Sequence, residues 1–364
     1  MPKYEKPLTA HLDRRLLRLV KLAVILLILG MAFSPPRLGR FLTSVHDYST
    51  QYRAAKASRI SQHPDWYAIG DSYISGEGTF DYYPNSNSAR SSDFCHRSPI
   101  SYASLLGIPE ANNFACSGST IAEIAKTGNQ GESAQIARLP RSARLILIGA
   151  GGDSFNFSTV MKDCLKIGPF QGSCATELLT EMEGMEIPDV SPAPREIRDC
   201  NFSISNYRNQ FICMLLMAHE HSPKAKIFII GYPRLFRISP TTSCSDISVA
   251  DQKFINVGDA ALNNALERWT SLTAEYGTPV SFISTWNTFA SHEECQPASD
   301  MNPLLATSAV SPIALVGHTP IHKGCHSPPD TFGACSESFH PTRAGYLALA
   351  HSVGPTIGAY LHQP

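Results

Sequence analysis

Four short segments of this 364-residue chain carry side chains and turns suited to acyl chemistry. The first, Gly70-Asp71-Ser72-Tyr73, presents a hydroxyl just after the apolar run 66–69. A serine hydroxyl attacks a carbonyl only when a base takes its proton and donors hold the oxyanion. The second segment, running from Asn113 to Ser119, contains Gly118, where a backbone N–H can approach a ligand closely. The third is Gly151-Gly152-Asp153-Ser154. The fourth, Glu337-Ser338-Phe339-His340-Pro341, sets an imidazole just before the last helical pattern. Singly these are weak signals, since Gly-Asp-Ser often marks a turn and a lone histidine is usually a core or surface residue. In this order they offer a nucleophile, an oxyanion donor, a glycine loop and a base. No Gly-x-Ser-x-Gly surrounds Ser72, and no Gly-Lys-Ser/Thr follows the glycine pairs. Nucleophile-elbow and phosphate-loop readings are therefore excluded.

The elements that must position these residues are legible as alternating patterns. Expected strands are 66–69, 113–115, 144–149, 227–231 and 280–284. Residues 145–148 and 227–230 are continuously apolar, as in parallel strands buried on both faces. Helical spacing of apolar residues covers 207–220, 251–275 and 342–361. The alternation predicts one α/β domain, a three-layer α/β/α sandwich around a central parallel sheet. Sites in such sheets lie at the carboxyl ends of the strands. Ser72 and Gly151-Gly152 follow the first and third expected strands and so share one rim. Residues 161–206 and 296–336 break the alternation and read as irregular loop insertions.

Lys plus Arg number 30 and Asp plus Glu 31, so no global field favours nucleic acid as a partner. Ten cysteines, with no C-x-x-C pair, argue for disulfides and against a metal site. Sequence neighbours suggest Cys95–Cys116, Cys164–Cys174, Cys200–Cys213, Cys244–Cys295 and Cys325–Cys335, with connectivity open. Residues 22–33 form an apolar run preceded by Arg14, Arg15, Arg18 and Lys21. A full membrane span needs about 20 residues. Residues 1–33 therefore read as a signal peptide, or as a signal anchor giving membrane attachment through 22–33. Residues 34–62 read as a polar linker. Either way, the catalytic-type domain 63–364 is expected outside the cytosol. Asn156 and Asn201 open glycosylation sequons.

With Gly70-Asp71-Ser72-Tyr73-Ile74-Ser75-Gly76-Glu77-Gly78, Cys95-His96-Arg97-Ser98, Ala115-Cys116-Ser117-Gly118 and Gly231-Tyr232-Pro233-Arg234-Leu235-Phe236, the chain resembles the SGNH (GDSL) hydrolase superfamily. It is most similar to the secreted esterase and lipase branch, from about residue 66 onward. That resemblance implies a flavodoxin-like fold and a cofactor-free ester hydrolase without a metal. The substrate would be a small-molecule or lipid ester, or an acylated polysaccharide. It implies Ser72 as nucleophile, the N–H groups of Ser72 and Gly118 as oxyanion donors, and His340 as base. Glu337 stands where the family often has aspartate. The branch can use a backbone carbonyl instead, which leaves Glu337's side chain, its carbonyl or neither. The resemblance also supports the bridges Cys95–Cys116, Cys164–Cys174 and Cys244–Cys295.

One segment departs from the pattern. Where the family has Gly-Gly-Asn-Asp, this chain has Gly151-Gly152-Asp153-Ser154. The asparagine donates an N–H to the oxyanion; an ionised aspartate has no donor. A protonated Asp153, Ser154 or Asn156 is left to take that role. The rivals are a catalytically impaired ligand-binding protein, an acyltransferase of the same fold, and a membrane-tethered interaction domain. Asp71 reads as a structural turn acceptor and Arg97 as a local ion-pair partner. His96, His318, His322 and His326 are expected to be solvent-exposed loop residues.

Overall fold

The computed structural model describes residues 62–87, 93–165, 174, 193–202, 206–244, 247–306 and 334–361. All lie in the compact unit Ile60–Pro364. The expected leader and nearly all of the linker, over 1–61, fall outside the described residues. So do Cys325, His318, His322 and His326.

Four parallel strands form the sheet in the order β1 (Trp66–Gly70), β2 (Leu145–Gly149), β3 (Lys226–Ile230) and β4 (Val280–Ile283). The fifth expected strand is reduced to a parallel bridge between Asn113 and Ala68 on the free edge of β1. Phe114 and Cys116 donate their N–H groups to the carbonyls of Ala68 and Gly70 at 2.8 and 3.0 Å. Counting that segment as the second strand gives the order 2-1-3-4-5, the flavodoxin-like arrangement.

The helices are α1 (Ser72–Ser75), α2 (Tyr102–Leu105), α3 (Phe157–Leu165), α4 (Tyr207–His221), α5 (Val249–Glu275) and α6 (Arg343–Leu361). Alternate strand residues feed two cores. Ala68, Leu145, Leu147 and Phe228 pack with Tyr346, Leu349 and Val353 of α6. Ile69, Ile146, Ile148 and Ile229 pack with Phe211 of α4 and Leu262 and Trp269 of α5. All five β2 residues are buried, because helices cover both faces. This is the three-layer α/β/α architecture expected above. Among the described residues no helix is long and apolar enough to cross a membrane.

Disulfides join Cys95–Cys116, Cys164–Cys174, Cys200–Cys213 and Cys244–Cys295. Cys335 is also disulfide-bonded. The first residues of the insertion expected over 161–206 continue α3 to Leu165, and most of 166–192 lies outside the described residues.

Candidate active site

The strand-end turn after β1 is fixed by backbone geometry. Gly70 has φ 140°, and a Cβ there would lie 1.9 Å from the Gly149 carbonyl oxygen. Only glycine lets β1 end this close to β2. Asp71 then caps α1, its Oδ1 accepting from the Tyr73 N–H at 3.1 Å. Ser72 is the first residue of that helix and is nearly buried.

His340 arrives from the loop before α6, 268 residues away in sequence, and its Nε2 lies 2.8 Å from Ser72 Oγ. Its Nδ1 is 3.0 Å from the Ser338 carbonyl. A carbonyl only accepts, so Nδ1 carries the proton and Nε2 offers its lone pair to the serine. Burial pulls the His340 pKa below its ordinary value, opposed by the negative charge of Glu77 and the Ser338 carbonyl. The residue before it, Phe339, is held at φ 58°, a strained conformation for a bulky side chain. The Tyr73 hydroxyl donates to its carbonyl at 2.8 Å.

The Glu337 side chain is not among the groups within hydrogen-bond distance of the His340 ring. Its buried carboxylate faces the Tyr82 hydroxyl at 3.4 Å and the Ser336 hydroxyl at 3.3 Å. The imidazole is oriented by the main chain of Ser338, which a search for carboxylates in the sequence does not find.

Gly118 and Asp153 line the same cavity as Ser72 and His340, which holds about 280 Å³. Gly118 has φ 77°, the left-handed conformation that turns its N–H without a Cβ penalty. Two amides missed in the sequence hold this wall. Gln135 accepts from the Gly70 N–H at 2.6 Å and donates to the Gly70 carbonyl at 2.9 Å and Ser119 Oγ at 3.2 Å. Asn129 donates to the Ser117 carbonyl at 3.2 Å. Their only sequence signal is position in a polar loop, which many glutamines and asparagines share.

Of the three candidates for the missing amide donor, two do not line the cavity. Ser154 Oγ accepts from the Ile121 N–H at 2.8 Å, and Asn156 is exposed. Asp153 faces the cavity, and among the described residues its carboxyl accepts no hydrogen bond. Desolvation pushes that carboxyl well above the usual carboxylate range, and the charges of Asp71, Glu123 and Glu77 push the same way. Asp71 and Asp259 on this wall are both raised by burial to about 7. Asp71 accepts from the Tyr232 hydroxyl, which in turn accepts from the Gly152 N–H at 3.0 Å. Asp71 is thus both the expected turn acceptor and a strut between β1 and the third glycine segment.

His96 corrects an expectation. It is buried, not exposed, and its Nδ1 lies 2.6 Å from Glu77 Oε2. Arg97 pairs with Asp93 and, across 35 residues, with Glu132 at 2.7 Å.

No protein-family model matches the chain. Lipase 1 of Streptomyces coelicolor is 26% identical over 241 residues, 66% of this chain and 76% of the relative. A lipase of Streptomyces rimosus is 26% identical over 253 residues, 67% and 78% of the two chains. Among solved structures, the extracellular lipase from Streptomyces rimosus superposes with a TM-score of 0.56 at 21% identity. That match covers 82% of this chain and 99% of the other. Phospholipase A1 from Streptomyces albidoflavus gives 0.56 at 20% identity, covering 81% and 98%. The structural matches carry the fold.

Proposed function

The chain belongs to the SGNH hydrolase superfamily, and from that premise we propose that it is a carboxylic ester hydrolase working through an acyl-enzyme on Ser72. The observation that carries this reading is the 2.8 Å contact between Ser72 Oγ and His340 Nε2. Ser72 Oγ attacks the ester carbonyl carbon while His340 Nε2 takes its proton. The oxyanion is met by the N–H groups of Ser72 and Gly118 and by the O–H of a protonated Asp153. His340 returns the proton to the departing alkoxide. Water then repeats the sequence on the acyl-enzyme, releasing the acid and restoring Ser72.

Asp153 in its neutral form is a carboxylic acid and therefore a donor. Burial and the negative charges of Asp71, Glu123 and Glu77 favour that form, and on this reading the replacement of the family's asparagine keeps a donor.

The cavity walls point to the substrate class. Phe157, Met161, Leu262, Leu304 and Phe339 line it. Such a surface suits a fatty acyl chain better than a sugar, which would call for converging polar groups. The cysteines, most of them in bridges, suit an oxidising compartment. With the cationic flank of the apolar run 22–33, they support export, the run acting as signal peptide or anchor.

Turnover of p-nitrophenyl esters of increasing acyl length tests this reading, with Ser72→Ala as control. We expect hydrolysis by the wild type, a preference for medium or long chains, and loss in the variant. Equal rates for the two proteins would remove the mechanism.

A further inference from the structure

The dyad lacks a carboxylate on the imidazole, yet a buried carboxylate sits behind it. Glu77 is fully buried on the turn that follows α1, and its N–H donates to the Ser72 carbonyl at 3.1 Å. The Tyr346 hydroxyl ties the two residues further, donating to the Glu77 carbonyl at 2.7 Å and reaching the Ser72 carbonyl at 3.4 Å. The side chain of Glu77 gathers the other catalytic segments. It pairs with His96 beside the Cys95–Cys116 bridge at 2.6 Å. Ser117, next to Gly118, favours its charged form. Glu77 accepts from the Ser336 hydroxyl at 3.2 Å, in the loop that carries Ser338 and His340. The main chain beside it packs directly on the base: a Cβ at Gly78 would lie 2.9 Å from His340 Cβ. Asn302 donates to the Gly78 and His340 carbonyls at 2.9 and 3.1 Å.

We propose that Glu77 is a positioning residue for His340: its buried negative charge favours the cationic imidazole formed during catalysis, and its hydrogen bonds lock nucleophile, oxyanion and base loops in register. The proposal rests on the ester-hydrolase reading above. It gives the site a carboxylate from the nucleophile's own turn, where a triad would take it from the base loop.

The charges around His340 support this. Glu77 is the strongest influence raising its pKa, and His96 opposes it. Glu77 is itself held down to about 2: burial, the largest influence, pushes it up and is outweighed by the His96 contact and by Ser117. Burial lowers His96, but the Glu77 charge dominates and leaves it raised. Glu337 faces this cluster from the base loop, and Tyr73 packs 5.2 Å from the His340 ring. Asp71 and Asp153 lie across the cavity. Because Asp71 and Asp259 also titrate near neutrality, the informative quantity is the change between variants, not the absolute position of a pH limb.

The experiment is the pH profile of kcat/KM for a p-nitrophenyl ester in wild type, Glu77→Gln and the double variant Glu77→Gln/His96→Gln. Deprotonated His340 is the active base, so kcat/KM rises with pH through its pKa. Removing the Glu77 charge lowers that pKa, so the acid limb moves down by about one pH unit while kcat on the plateau falls about ten-fold. The double variant also loses the opposing His96 charge, so its limb moves down less. Replacing both members of a buried ion pair is better tolerated than orphaning one, so the double variant gives the answer if the single one does not fold. An acid limb at the wild-type position in a folded variant overturns the proposal. An inactive wild type overturns the ester-hydrolase reading instead.

Discussion

The cavity and the cluster beside it hold carboxyl groups under opposite conditions. Behind the base, Glu77 is buried with His96 and stays ionised, its pKa held to about 2. Lining the cavity, Asp71 is buried and Asp153 and Asp259 half-buried, without a cationic partner among the described residues, and desolvation pushes all three upward. The difference follows from where charge develops in the reaction. The imidazole becomes positive, so a fixed negative charge behind it helps. The carbonyl oxygen becomes negative, so a fixed negative charge before it harms, and desolvation on that side favours the neutral carboxyl. One residue class thus has two values, set by its neighbours.

His340→Ala breaks the base side most completely. We expect kcat to fall by roughly 10⁴–10⁶ with the fold intact, since nucleophile and base act as a unit. A residual activity within ten-fold of wild type would remove His340 from the mechanism.

Asp153 is the next test. Asp153→Ala removes a donor and should lower kcat about 10²–10³-fold at neutral pH. Asp153→Asn restores one, so its neutral-pH rate should stay within about three-fold of wild type. The two should part as pH rises, since wild type loses activity as Asp153 ionises and the asparagine variant does not. A large gain for Asp153→Asn at pH 7 would mean that Asp153 is already ionised there.

Stability should also divide between the two. Asp71 and Asp259, raised from 3.8 to about 7 in the fold, bind protons more tightly folded than unfolded. Their contribution is complete below about pH 4 and is lost as pH rises through 7. Glu77, lowered from 4.5 to about 2, contributes above about pH 4.5 and loses that as pH falls toward 2. Melting curves from pH 2 to 8 should therefore show Asp259→Asn flattening the decline between pH 4 and 7. Asparagine keeps an acceptor for the Leu235 N–H, which Asp259 now binds at 3.3 Å. An unchanged slope would contradict the raised pKa.

The smallest effect belongs to Glu337→Gln. A triad acid is worth about 10⁴ in kcat where a carboxylate orients the histidine. Here the Ser338 carbonyl holds Nδ1, so the loss should be under about ten-fold, measured as kcat on a short-chain ester.

Much of this was readable from residues alone, for definable reasons. Continuous apolar runs such as 145–148 mark strands covered on both faces, so β2 and β3 stood out. Helix α5 begins at Val249, two residues before its apolar stripe, because Ser248 caps it and accepts from the Asp251 N–H. The 113–115 segment alternates too briefly to make a ladder and pairs only through a bridge. Site residues with distinctive chemistry, Ser72 and His340, were visible, whereas the orienting carbonyl of Ser338 has no side-chain signal. His96 looked like a loop histidine because burial depends on Glu77 arriving from another segment. Gln135 and Asn129 likewise act through distant backbone groups. Tertiary partners, not local pattern, decide all three.

The most direct measurement is intact and peptide mass spectrometry after incubation with an alkyl phosphonate ester that traps serine hydrolases. One adduct per chain is expected, on the peptide containing Ser72, with ester turnover lost in step and no adduct in Ser72→Ala. Ester turnover that persists without modification of Ser72 would contradict the account.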